Sequence, residues 1–452
     1  MVARGSFGKI SSRNTFHRKT GDPVRDSAPR KSSDESPLLT RLTLYSLGCS
    51  LADFVYGAVF VTVLLSRGAD PWMVGTIVAA ANFVGLVMEA PSGALGDRYG
   101  HRRLLVSGLL SWGSGFVLIG TVTALPLTLA GMCLGTIGFA LHSGTLQTIL
   151  INRVGSEDRT TRIARIVRIC GLWGRIGSAL GAALVMVAGT WLPAGPLIAC
   201  GGGLLLLLAL AAPVCFPSTP GRPDRRIGVI MLESVSLVLS RRFAPMVALA
   251  VGAMSATVLL VVSWQPMLVE RFGEDLRLNG LFLLSMTVSL TVGAACARWV
   301  DPTRPHLWGP LAVMVIGTPV VLAAHDVVPL IVGLIAAELL IGLAGVVAGV
   351  WYQLMFPDAN RSTMFSAITA LAALGGIATS FGFGWLWQLW GVPTAVTLLA
   401  TVSVIAGATS LVLTRCFPES TEFITSENTI SRTDPTSGSG RDRPTRKARF
   451  PR

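Results

Sequence analysis

Between Thr43 and Leu65 the chain carries a single charged side chain, Asp53, and the same pattern recurs along almost its whole length. Apolar runs of roughly 18 to 25 residues, the length with which an α-helix crosses about 30 Å of hydrocarbon, follow at Trp72–Ala90, Leu104–Val122, Leu127–Ile149, Ile166–Ala188 and Leu192–Val214. A second series occupies Ala244–Leu268, Leu278–Ala297, Leu307–Ala324, Val327–Gly349, Met364–Leu386 and Val392–Leu413. Backbone in lipid must satisfy its own hydrogen bonds, so the expectation is an all-α integral membrane protein with about twelve transmembrane helices. Composition agrees, with 51% hydrophobic and only 13% charged residues. The bilayer is therefore an obligatory partner.

Arginine placement sets the expected orientation, because short cytoplasmic loops carry excess Lys and Arg. Arg41 and eight other Lys and Arg residues precede the first run. Arg98, Arg102 and Arg103 follow the second, and Arg153, Arg159, Arg162 and Arg165 follow the fourth, whereas the loops 123–126 and 189–191 carry no charge. Both termini are predicted to be cytoplasmic, in a plasma membrane. The bias to Arg over Lys and to Ala and Gly suggests a bacterial inner membrane. This topology accounts for the formal charge of +13 without a nucleic-acid partner.

Residues 1–40 and 416–452 lack the large apolar side chains needed to build a core and are expected to be disordered cytoplasmic tails. Between two six-helix halves, 41–215 and 244–415, lies a linker, 216–243. It opens with FPSTPGRPDRR and continues as an apolar segment too short to span, expected to lie on the membrane surface. Two linked halves are the organisation of internal-repeat transporters. The seven cysteines show no C-x-x-C and no spacing with His that suggests a metal, and no cofactor is implied.

One short connection is unusually rich in charge. Residues 91–103 read PSGALGDRYGHRR. Gly93, Leu95, Asp97, Arg98, Gly100, Arg102 and Arg103 fall on the positions of G-x-L-a-D-r-x-G-r-r, and the stretch resembles the loop signature of the major facilitator superfamily. A degenerate second copy places Ala297 four residues before Asp301, with Arg304 beyond. The resemblance implies two six-helix pseudo-repeat halves that rock about a central site. Helices 1, 4, 7 and 10 would line the cavity, and the loop would act as a gate whose Asp97 meets the start of helix 11 near Arg361–Ser366. Glu89, directly before the loop, is assigned to the same gating set.

Coupling and cargo groups are sought inside the membrane, where an ionisable side chain is costly and functional by default. Asp53 in helix 1 and Glu338 in helix 10 are the candidate proton-carrying or substrate-binding carboxylates. Arg175 in helix 5 shares a helix face with Arg165 and Arg168 and is a candidate partner for Glu89. His142 in helix 4 could titrate near neutral pH. Trp264, Gln265 and Pro266 lie toward the outer end of helix 7, where an interfacial tryptophan needs no further reason.

The motif arginine of related drug exporters is missing from LTLAGMCLGTIGFA, and their proline motif is missing from GRIGSALGAALVMVAG, although WQP and RSTM resemble exporter-like members. No P-loop and no H-E-x-x-H appears, so an enzyme is not expected. The reading is a monomeric secondary transporter of a small molecule, exchanging protons and working as an efflux antiporter. Uptake by proton symport and a non-transporting membrane sensor are the alternatives.

Overall fold

The computed structural model describes residues 35–143, 145–151, 159–218, 238–301, 303–325, 327–356 and 361–420. The described chain is built of helices: α1 (Glu35–Ser66), α2 (Pro71–Tyr99), α3 (His101–Thr121), α4 (Leu125–Ser143), α5 (Thr145–Ile151), α6 (Arg159–Ala188) and α7 (Ala194–Cys215) in the first half. The second half contains α8 (Ala244–Phe272), α9 (Leu276–Cys296), α10 (Pro305–His325), α11 (Val327–Met355) and α12 (Arg361–Cys416). Eleven of these stretches are long and apolar enough to span, with α4 and α5 forming one of them. The last, Ala367–Cys416, is two spans joined at Gly391, whose φ of 80° breaks the helix. The result is the all-α, twelve-span architecture expected from the apolar runs.

The distribution of breakers explains where the helices stop. Asp70 caps α2 by accepting from the Met73 backbone N–H at 2.7 Å, and Pro71 supplies the fixed φ of a first helical residue. The motif after the second run is not an extended loop. Helix continues through Tyr99 because nothing before Gly100 stops it, and Gly100, at φ 91°, supplies the whole turn into α3.

Residues 1–34 and 421–452 of the expected tails, and most of the expected surface helix of the linker, lie outside the described residues. The inner edges of both tails are ordered: α1 begins at Glu35, and the Ser420 carbonyl accepts a hydrogen bond from the Trp351 indole at 3.3 Å.

With twelve spans, the start of α1 and the end of α12 lie on one side, here called the terminal side, opposite the distal side. Burial is uneven between them. One continuous core fills the first half and crosses at the distal side into the second, through Leu259, Leu268, Phe383 and Trp387. The terminal part of the second half has its own separate core around Phe243, Trp351, Phe356 and Ile368. Close helix approach across the halves is also distal. A Cβ built on Gly75 of α2 would come within 2.6 Å of the Gly384 Cα of α12, and one on Gly280 of α9 within 2.2 Å of the Met186 nitrogen of α6. Among the described residues, the halves are sealed together distally, and their cores are separate toward the terminal side.

Candidate transport cavity and distal seal

Inside the first half, between α1 and the bundle of α3 to α6, lies a cavity of about 380 Å³, within the size range of small-molecule sites. Asp53, His142, Gln147 and Arg175 line it together with the aromatic rings of Trp112 and Phe139. Small residues bring its two principal walls together. Gly177 sits against the Leu47 carbonyl and Gly181 against the Leu51 carbonyl, so α1 and α6 touch backbone to backbone. Three of the four intramembrane ionisable candidates thus converge from α1, α4 and α6. Glu338 does not join them: it lies in the other half, on α11, away from this cavity's walls.

The convergent groups are largely unsatisfied. Asp53 makes no hydrogen bond or ion pair with a described residue, its ring and thiol neighbours on α1 being Tyr56 and Cys49. Both ring nitrogens of His142 are buried without a partner, while its ring packs against Trp112 with centroids 5.4 Å apart. A neutral imidazole carries one donor and one acceptor, and leaving each unmade costs about 1–3 kcal/mol. Arg175 is exposed to the cavity and donates one bond, to Thr291 Oγ1 of α9 at 3.3 Å. Its described partner is therefore a hydroxyl of the opposite half. Arg165 and Arg168 are exposed on the same helix, closer to the terminal side.

In the gating set, the side chains of Glu89, Gly93 and Asp97 lie outside the described residues; their backbone belongs to the last turns of α2. Arg98 and Arg103 are exposed, and Leu95 is half-buried. Arg102 reaches the carbonyls of Pro213 and Phe216 at 3.3 Å each, and Arg41 reaches that of Cys215 at 2.9 Å. Two arginines read as topological signals thus also satisfy the free carbonyls at the end of α7. In the second copy, Asp301 accepts from the Thr303 hydroxyl at 2.7 Å and from its backbone N–H at 2.9 Å, with Arg304 at 3.8 Å. Those donors hold the Asp301 carboxyl below the ordinary carboxylate range.

The distal seal is where the sequence was least informative. Trp264 is not interfacial: it is 2% exposed, and Gln265 beside it is fully buried. Gln265 Oε1 accepts from the backbone N–H groups of Val61 and Thr62 at 3.0 and 3.1 Å, and its Nε2 donates to the Gly57 carbonyl at 2.9 Å. Asn279 of α9 donates to the Ala58 carbonyl at 3.0 Å and to Thr62 Oγ1 at 2.9 Å. Two amides of the second half thus grip α1 between Gly57 and Thr62. Beyond them, a vestibule of about 590 Å³ opens distally, with Thr62, Arg67 and Glu274 in its walls. Between described residues, the remaining hydrogen bonds joining the halves are Asn82–Ser380, at 3.3 Å, and Arg175–Thr291.

A twelve-span bundle of two halves, sealed on one side over a polar cavity within the membrane, defines a membrane transporter. The chain belongs to the Major Facilitator Superfamily, whose family model matches residues 42–353. An uncharacterized MFS-type transporter of Mycobacterium tuberculosis is 24% identical over 376 residues, covering 81% of this chain and 83% of that protein. The uncharacterized MFS-type transporter YxaM of Bacillus subtilis is 21% identical, covering 78% and 90%. Among solved structures, a bacterial homologue of the human lysosomal transporter Spinster, inward-facing and unoccupied, superposes with a TM-score of 0.69 at 13% identity, covering 86% of this chain and 99% of that one.

Proposed function

We propose that this transporter exports a small organic molecule by alternating access, driven by proton exchange on Asp53. The terminal side is the cytoplasm of a plasma membrane, as the arginine distribution supports. The observation that carries the reading is the unpaired Asp53 carboxylate in a cavity whose distal exit is closed by the Gln265 and Asn279 amides. A solute enters from the terminal side and displaces the proton from Asp53. The distal seal then yields and the solute leaves, after which a proton from outside resets the carboxylate. One carboxylate cannot hold a proton and a substrate cation together, so loading and protonation exclude each other.

Full-length protein in proteoliposomes with an internal pH dye tests this. Substrate-triggered proton movement opposite to substrate is the expected result. Co-directional movement would make the protein a symporter, and accumulation independent of the proton gradient would remove Asp53 from the coupling role.

A further inference from the structure

We propose that the cavity selects a zwitterionic solute, its ammonium on Asp53 and its acid on Arg175. The inference rests on the cavity being the transport site and deepens that reading. Both charged groups line the one space, and among the described residues neither pairs with the other. Their helices run in contact, Gly177 against the Leu47 carbonyl and Gly181 against that of Leu51, so the two charges enter the space from adjoining walls.

A solute with one charge would leave the opposite protein charge uncompensated in a low-dielectric cavity, the more costly arrangement. Arg175 spends a single donor on Thr291, so its guanidinium keeps donors for a carboxylate. Between the charged ends, the cavity offers the Trp112 and Phe139 rings for an apolar middle.

Equilibrium binding to the purified full-length protein, with no gradient, separates this from the transport reading. The probes are 8-aminooctanoate, octylamine and octanoate. We expect 8-aminooctanoate to bind at least tenfold tighter than either of the others. Asp53→Asn should remove the advantage over octanoate while keeping that over octylamine, and Arg175→Gln should do the reverse. The advantage each variant retains shows that it is folded. Rescue by Asp53→Glu or Arg175→Lys should recover part of the loss.

Equal affinities across the three probes, or no binding by any, would overturn the proposal. So would a zwitterion preference untouched by both variants. A zwitterion preference without vesicle flux would instead leave the site intact and sink the transport cycle.

Discussion

At the scale of single residues, Gln265 shows how a neutral amide can govern a membrane protein. Its side chain has no water to turn to and is satisfied only while α1 lies against α8, since its partners are backbone groups of residues 57, 61 and 62. Gln265→Leu keeps the bulk and removes those bonds, each worth about 1–3 kcal/mol when a buried partner is left unmade. The expected outcome is a shift toward the distally open state, read as longer distances between spin labels at Ser66 and Glu274. An unchanged distance distribution would show that the amide packs without holding the gate. For Asp53→Asn, transport that no longer responds to a pH gradient is expected in the proteoliposome assay, and undiminished gradient-driven flux would refute its coupling role. Asp53, His142 and Arg175 stand out in the sequence because charge and imidazole are conspicuous in apolar runs. That they share a cavity follows only from the register of α1 on α6. Gln265 and Asn279 were not legible as a pair, because their partners, backbone groups and the Thr62 hydroxyl, lie more than 200 positions away.

At the scale of helices, the seal depends on how closely α6 and α9 approach. Gly280→Val places a branched side chain where even a Cβ would stand 2.2 Å from the Met186 nitrogen, a backbone atom that cannot step aside. The expected result is a separated distal interface and transport reduced by an order of magnitude or more. Gly345→Val, at an open position on α11, should leave transport unchanged and serves as the control. Equal activity of the two variants would mean that α6 and α9 do not need to touch. The start of α9 gives a pH-dependent counterpart. Asp275 caps it, and the Arg277 side chain, helped by the Arg277 backbone N–H, holds its carboxyl below the ordinary range. A depressed carboxylate contributes stability above its unfolded pKa of about 3.9 and loses it as pH falls through the lower folded value. Asp275→Ala should cost about 1 kcal/mol of local helix stability at neutral pH and weaken the acid dependence of amide exchange at α9. An unaltered exchange profile would remove the cap from the account. Helix number and type were legible because length and hydropathy fix them. The run of α2 through Tyr99 was not, because a charged stretch beside glycines reads as loop while its backbone still has every reason to stay helical until Gly100.

At the scale of the molecule, the proposed cycle needs two faces that can close, and among the described residues the distal one is closed here. The continuous core crosses between the halves distally, and the terminal part of the second half keeps a core of its own. Alternating access requires the opposite arrangement to lie within a few kcal/mol, so the distal amide bonds must be balanced by contacts made when the terminal side shuts. The sequence nominates Asp97 for that role. It stands in the last turns of α2, where a carboxylate faces the unfavourable end of its own helix dipole and gains from a donor on another helix. Asp97→Asn would keep the shape and remove the charge, weakening the terminally closed state without altering the cavity. Turnover in proteoliposomes should then fall severalfold or more while equilibrium substrate affinity stays within about twofold of the parent. Adding Gln265→Leu should restore part of the turnover, because weakening the two seals together returns the balance. Full turnover in Asp97→Asn alone would show that the charge plays no part in closing the terminal side. A loss that Gln265→Leu fails to relieve would show that the two faces are not coupled as one equilibrium.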